Sequence, residues 1–203
     1  MLLEKISNRF VMVFLNNNII TPEEKWDFTY GIELTLLFFF DMICLLMIGF
    51  VTGKLLEIFF FTLGFTPLKM NAGGYHASTP LYCIITYITI VFLSIFVTKL
   101  LMHTIIFIIL IGIAFIASFL VLYKYAPVEC VNKPLGEEQK RHNRKCTFLI
   151  FSLQCIAIMI SIIFQLNQYY LYLFIIGIIT ESLTLMIKER RETDEKTNAY
   201  DGI

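Results

Sequence analysis

Residues 104–123 read TIIFIILIGIAFIASFLVLY, a run of twenty residues without one charged side chain. A helix of that length is about 30 Å long, which matches the hydrocarbon thickness of a bilayer. Hydrophobic residues make up 58% of the chain, more than a soluble domain of 203 residues could bury. Four further apolar runs of spanning length begin near Ile32, Leu81, Thr147 and Tyr169. The sequence therefore predicts an all-α, polytopic integral membrane protein.

A sixth apolar run, Leu55 to Leu68, is shorter and contains Glu57. On its own it fits a core helix, a re-entrant segment or a tilted span. Basic residues in short loops mark the cytoplasmic side, and the segment 124–145 contains six Lys and Arg residues against three acidic ones. If the segment 124–145 is cytoplasmic, each span before it must alternate in direction. The basic N-terminus is then also cytoplasmic only if the run Leu55 to Leu68 crosses the membrane. We therefore predict six transmembrane helices within residues 32–187.

The first twenty residues predict an amphipathic helix in the membrane interface, because apolar side chains fall near one helical face and basic ones elsewhere. The expected organisation is one membrane-embedded domain, 1–203, in which this helix (1–20) precedes the six-helix bundle (32–187) and a cytoplasmic tail (188–203). Both termini and the loop 69–80 then face the cytoplasm. The net charge of zero gives no reason to expect a nucleic-acid partner.

Reactive side chains, glycines and a helix start converge in the segment 69–83, KMNAGGYHASTPLYC. Thr79 and Pro80 form a favourable N-cap and first helical position, which places Cys83 in the first turn of a span. The partial positive charge of a helix N-terminus favours the thiolate, which is the nucleophilic form of cysteine. Cys83 is therefore a candidate nucleophile.

His76 precedes Cys83 by seven residues, a separation of about 10 Å on an unbroken helix. Pro80 interrupts such a helix, and Gly73 and Gly74 allow unusual backbone angles, so the loop can fold back and bring the imidazole to the sulfur. A Cys and His pair at hydrogen-bond distance is the minimal device for thiol acyl transfer. The same residues also fit an unreactive buried cysteine beside a loop histidine.

A zinc site is a third interpretation, because Cys and His are good zinc ligands. The segment offers no third or fourth ligand, and His103 is predicted at the opposite membrane face, so we expect neither a metal nor a cofactor. The remaining cysteines are expected to be reduced and structural; they are Cys44, Cys130, Cys146 and Cys155.

Two motifs carry a family resemblance: AGGYHA (72–77), with Cys83 seven positions after its histidine, and APVECVNKPLGEEQKR (126–141) after the fourth span. Over nearly its full length the chain resembles the accessory gene regulator B (AgrB) family of membrane cysteine endopeptidases in bacterial quorum sensing. The fold that this resemblance implies agrees with the predicted spans and the amphipathic start.

The resemblance implies that His76 and Cys83 are catalytic, with Lys69, Gly73 and Gly74 supporting the active-site loop. Family members commonly carry paired arginines where this chain has Lys69 followed by methionine. A lysine cannot make the bidentate contact of a guanidinium. This departure affects the expected substrate affinity more than the reaction.

By the same resemblance the substrate is a small AgrD-type propeptide with an acidic C-terminal tail. We hypothesise that the cysteine thiolate attacks the carbonyl before that tail and forms a thioester. A cysteine or serine inside the propeptide then closes a cyclic thiolactone or lactone, the autoinducing peptide. The expected location is the bacterial cell membrane, and a homodimer is a further expectation from the resemblance.

Charged residues outside the loop give further candidates. Glu33 lies near the cytoplasmic end of the first span. It could orient the catalytic histidine or form an ion pair with Lys69; the alternative is an interface carboxylate that is solvated by headgroups. The basic stretch 140–145 fits a topology signal that rests against anionic lipid headgroups. A sharper hypothesis is that Arg141 and Arg144 also bind the acidic tail of the substrate.

The main alternative is a small permease or peptide exporter without proteolytic activity, in which Glu33, Asp41 and Glu57 would line a polar path. Six spans fit such a protein equally well, but the sequence contains no nucleotide-binding loop and no paired broken helices in related halves. A noncatalytic membrane scaffold is a further alternative. The motifs of metallo-, serine and aspartyl proteases are also missing from the sequence, which leaves thiol chemistry as the proteolytic route.

Overall fold

The computed structural model describes residues 2–17, 19–73, 80–128 and 136–201. In these ranges the chain forms helices and no strand, which confirms the all-α prediction. The helices are α1 (Leu2–Asn16), α2 (Lys25–Thr52), α3 (Leu55–Ala72), α4 (Pro80–Leu101), α5 (Ile105–Tyr125), α6 (Glu137–Ile163) and α7 (Gln168–Asp201).

Five helical segments of the described chain are long and apolar enough to cross a membrane: Gly31–Thr52, Ile84–Leu101, Ile105–Tyr125, Glu137–Ile163 and Gln168–Ile187. The prediction of a multi-pass membrane protein is thereby confirmed. Helix α3 is not among the five, because its 18 residues include charged and polar side chains near both ends. The count of six spans therefore stays a prediction, and so does the cytoplasmic location of the termini.

Helix α6 begins earlier than the sequence predicted. The basic stretch 140–145 was expected in a loop, yet it lies inside α6, which starts at Glu137. Glu137 and Glu138 occupy the first helical turn, where carboxylates interact favourably with the helix dipole. The basic residues thus belong to the same helix as the apolar span that was predicted to begin near Thr147.

The chain divides into two compact units, Met1–Lys54 and Leu55–Ile203. In the first unit, α1 packs against α2 and fully buries Ser7 and Val11. The Ser7 hydroxyl donates a hydrogen bond of 3.2 Å to Oε1 of Glu33 on α2. Helix α1 is thus held to α2 by a polar contact as well as by apolar packing.

In the second unit, α3 and α7 run side by side in the same direction. Near their starts, the rings of Phe60 and Tyr170 stack with centroids 5.0 Å apart. Farther along, Leu68 on α3 and Ile178 and Leu185 on α7 are fully buried in one apolar cluster. The residues that follow α3 and the C-terminal part of α7 therefore lie at the same end of this unit.

Two glycines allow the backbones of α3 and α7 to approach closely. A Cβ on Gly64 would collide with the carbonyl oxygen of Phe174, and a Cβ on Gly177 would collide with the carbonyl oxygen of Phe61. Small residues at such crossings are typical of membrane helices, whose association depends on tight packing rather than on the hydrophobic effect.

Helix α6 compensates for a proline inside α3. Pro67 has no N–H group, so the carbonyl of Leu63 lacks its usual helical donor. The buried side chain of Gln154 on α6 donates from Nε2 to the oxygens of Leu63 at 3.3 Å and Gly64 at 2.9 Å. An unsatisfied carbonyl costs several kcal/mol in hydrocarbon, so this contact stabilises α3 in the bundle.

We expect Gly64→Ala and Gly177→Ala each to lower the thermal unfolding midpoint of the purified protein in detergent, because the added methyl group collides with rigid backbone. Overpacking of this kind costs about 1–3 kcal/mol. The matched control is Gly112→Ala on α5, where nothing lies within 4 Å of an added Cβ. An equal loss of stability in all three variants would contradict the close contact.

Candidate functional site

The candidate site surrounds the residues between α3 and α4. Helix α4 begins at Pro80, as predicted, so Cys83 is its fourth residue and lies in the first helical turn. The side chain of Cys83 lies outside the described part of the structure. Gly74 and His76 fall in the segment 74–79, which also lies outside the described residues. The approach of the imidazole to the sulfur therefore stays a prediction.

Gly73 occupies a position that only glycine fits without strain. Its φ angle is +83°, in the left-handed region, and its N–H donates to the carbonyl of Lys69 at 3.2 Å. A Cβ at this position would also meet the carbonyl oxygen of Val128. The backbone angle and the neighbouring chain both require a hydrogen in place of a side chain.

The segment after α5 supports the end of α3. The N–H of Val128 donates to the carbonyl of Ala72 at 2.9 Å. Ala72, Ala126 and Val128 are all buried in one apolar cluster with Leu122. The second family motif thus begins with residues that pack directly against the first, whereas the part of that motif at 129–135 lies outside the described residues.

Lys69 lies in the last turn of α3 and is half-buried. Its ammonium group is 4.9 Å from the centre of the Phe65 ring, a cation–π contact. Its neighbour Leu68 is buried in one apolar cluster with Ile178 and Leu185 of α7, which lie one turn on either side of Glu181, a carboxyl that is fully buried in the structure. The sequence reasoning missed Glu181, although an acidic residue within an apolar run is itself a signal.

The remaining candidates lie on other helices. Glu33 accepts the hydrogen bond from Ser7 within the first unit, and Asp41 is half-buried farther along α2. Arg144 donates to the carbonyl of Tyr123 at 3.3 Å, and its guanidinium lies 5.7 Å from the centre of the Tyr123 ring. Arg144 therefore links α6 to the end of α5, and both Arg141 and Arg144 are exposed.

Among the cysteines whose side chains the structure describes, Cys44, Cys146 and Cys155 are free thiols. The sulfur of Cys146 lies 3.5 Å from Nε2 of His142, one helical turn away on α6. Within the described ranges, no group of three or more His, Cys, Asp or Glu side chains has a geometry that could hold a metal ion.

Comparisons with known proteins give a consistent result. The family model described as Accessory gene regulator B matches residues 7–185. A Clostridium perfringens protein (strain SM101 / Type A), provisionally named AgrB-like, is 31% identical over 147 residues, which cover 68% of this chain and 66% of that protein. A second, provisionally named AgrB-like protein 2 (strain 13 / Type A), is 30% identical over 148 residues, covering 69% of this chain and 66% of its own length. The match thus spans about two thirds of each relative, and no solved structure matches the chain.

We expect Gly73→Ala to lower the thermal unfolding midpoint, because the new methyl group is strained at positive φ and collides with the Val128 carbonyl. The cost is about 1–3 kcal/mol, as for other overpacked sites. Gly136→Ala is the matched control, since Gly136 has a φ of −61° and nothing within 4 Å of an added Cβ. A Gly73→Ala protein as stable as this control would show that the contact with Val128 is unimportant.

Proposed function

The chain belongs to the accessory gene regulator B family, and we propose that it is a membrane cysteine endopeptidase that processes an AgrD-type propeptide for quorum sensing. The observation that carries the proposal is the start of α4 at Pro80, which puts Cys83 in the first turn of a helix. The family match over 7–185 includes this position and His76.

The helix start supplies the electrostatics of the nucleophile. The first N–H groups of a helix have no partner inside the helix, and the dipole adds partial positive charge at that end. Both effects stabilise the thiolate of Cys83 relative to its thiol. The four other cysteines do not lie in the first turn of a described helix, so this position distinguishes Cys83 among them.

In the proposed reaction His76 accepts the proton of the Cys83 thiol, and the thiolate attacks the carbonyl carbon of the peptide bond before the acidic tail. The C–N bond breaks, and the imidazolium returns the proton to the leaving amine. The substrate is then held as a thioester on Cys83. Because the base also serves as the acid, one histidine suffices for this half of the reaction.

In the second half a thiol or hydroxyl of the propeptide attacks the thioester and releases the Cys83 thiol. The product is a thiolactone or a lactone. When the attacking group is a thiol, one thioester replaces another, so the two sides are nearly balanced in energy. The protein then has to exclude water and to hold the second nucleophile close to the carbonyl.

The contacts at the start of the loop between α3 and α4 are consistent with a catalytic role for this loop. Gly73 and the backbone of Val128 fix the point where the chain leaves α3, only three residues before His76. A catalytic side chain on a loop needs such a rigid base to hold its geometry. We propose that the loop and both termini are cytoplasmic, where an intracellular propeptide and anionic headgroups are accessible.

The acidic tail of the substrate would bind the basic part of α6. Arg141 and Arg144 are both exposed there, but Arg144 already donates a hydrogen bond to the carbonyl of Tyr123. Charge complementarity of this kind changes binding and association more than the chemical step. We therefore assign the larger part of tail binding to Arg141.

We expect Cys83→Ala and His76→Ala each to abolish tail release while leaving the protein in the membrane. The assay incubates purified protein in lipid vesicles with the propeptide and detects the released tail by mass spectrometry. Cys146→Ala is the matched control, because Cys146 is a free thiol that also contacts a histidine. Tail release by Cys83→Ala, or its loss in Cys146→Ala alone, would contradict the assignment.

Neutralising the basic residues of α6 should raise KM and leave kcat unchanged. We expect Arg141→Gln to raise KM by about 2–5-fold, in line with about 1 kcal/mol for one exposed charge, and the increase should shrink at high salt. Lys99→Gln, which removes a positive charge from the last turn of α4, is the control. An unchanged KM in Arg141→Gln would exclude its role in tail binding.

A further inference from the structure

The strongest unexplained feature of the second unit is a carboxyl group inside its apolar core. Glu181 on α7 is 0% exposed. Ile178 and Leu185, on the same face of α7, are fully buried in a cluster with Leu68 and Ala72 of α3. An ionisable side chain in such surroundings is costly, and in membrane helices it is retained for a specific role.

The hydrogen bonds of Glu181 do not account for its burial. Thr184 donates from Oγ1 to Oε2 at 3.0 Å. Oε1 is buried and has no hydrogen-bond partner within the described part of the chain. The last turn of α3 carries the positive charge of Lys69. Leu68 and Ala72, on either side of Lys69, share one buried cluster with Ile178 and Leu185, which lie one turn on either side of Glu181. An opposite charge across the helix contact is the partner that such a carboxylate requires.

Lys69 connects this carboxyl to the active-site loop. The Lys69 carbonyl accepts the hydrogen bond from the N–H of Gly73, so the two residues close the last turn of α3. Ala72, in the same turn, accepts from Val128. An interaction that fixes Lys69 against α7 therefore also fixes the last turn of α3, after which the loop begins.

We propose that Glu181 is a positioning residue that, by pairing with Lys69 across the contact between α3 and α7, fixes the end of α3 and the start of the catalytic loop. The kinetic part of this inference rests on the proposed endopeptidase function. It assigns Lys69 to a carboxyl of the protein itself rather than to the acidic tail of the substrate. Lys69 then acts on the rate of the bound complex and not on substrate affinity.

The test is a double-mutant cycle with Glu181→Gln, Lys69→Met and the double variant, each purified in the same lipid. The first measurement is the thermal unfolding midpoint, which does not depend on any activity. We expect each single variant to have a lower midpoint, because one buried charge loses its partner. The decrease of the midpoint in the double variant should be clearly smaller than the sum of the decreases in the two single variants.

The second measurement is tail release. We expect kcat to fall at least tenfold in each single variant, with KM within twofold of the original protein. Lys69→Arg keeps the charge and should retain kcat within about threefold, which separates a lost charge from a lost fold. If the methionine variant does not accumulate, Lys69→Gln, which also removes the charge, takes its place in the cycle.

Glu57→Gln is the matched control, because Glu57 lies on α3 twelve residues before Lys69. Its effect on the midpoint should add to that of Lys69→Met without coupling. Two outcomes would overturn the inference: additive midpoints for Glu181→Gln and Lys69→Met, or a raised KM with normal kcat in Lys69→Met. If the original protein releases no tail, the proposed function fails, and the midpoints alone then decide whether the pair exists.

Discussion

The close backbone contact between α3 and α7 is the constraint on which the second unit depends. Gly64 and Gly177 leave no room for a side chain between the helices, so the two backbones are held in one register. Without a hydrophobic driving force in lipid, this contact must be stabilised by packing and by polar groups that find partners inside the bundle. Gln154 on α6 donates a hydrogen bond to the carbonyl of Leu63 that Pro67 leaves without a helical donor. The proline inside α3 is therefore compensated by a neighbouring helix.

The sequence predicted the parts of the structure that depend on local properties. Five spans follow from run length and hydropathy, and the start of α4 follows from Pro80. Helix α3 was ambiguous because Glu57, Lys69 and Pro67 disfavour a span when they are judged alone. The carbonyl that Pro67 leaves without a helical donor is bonded by Gln154 of α6, 91 residues away in sequence, and local reasoning has no access to such a contact.

In the candidate site, too, the sequence predicted local properties but not tertiary contacts. The flexibility of Gly73 was expected from the residue type, but its contact with Val128 depends on tertiary structure. Arg141 and Arg144 looked equivalent in the sequence and both are exposed, yet only Arg144 donates a hydrogen bond to the carbonyl of Tyr123 among the contacts that the described residues show for these two arginines. Glu33 was considered for catalysis and is bonded to Ser7 in its own unit. Helix α6 begins before the basic stretch because Glu137 and Glu138 stabilise its N-terminus, a signal that charge counting for topology does not use.

The hydrogen bond between Val128 and Ala72 has a consequence for the exchange of segments among relatives. The residues that leave α3 and those that leave α5 shape each other, although more than fifty positions separate them in the chain. In a chimaera that takes only residues 69–83 from a relative, the new loop packs against residues 122–128 of the original chain. Because Val128 contacts Ala72 and Gly73 directly, residues 122–128 have to be exchanged together with residues 69–83 if these contacts are to be kept.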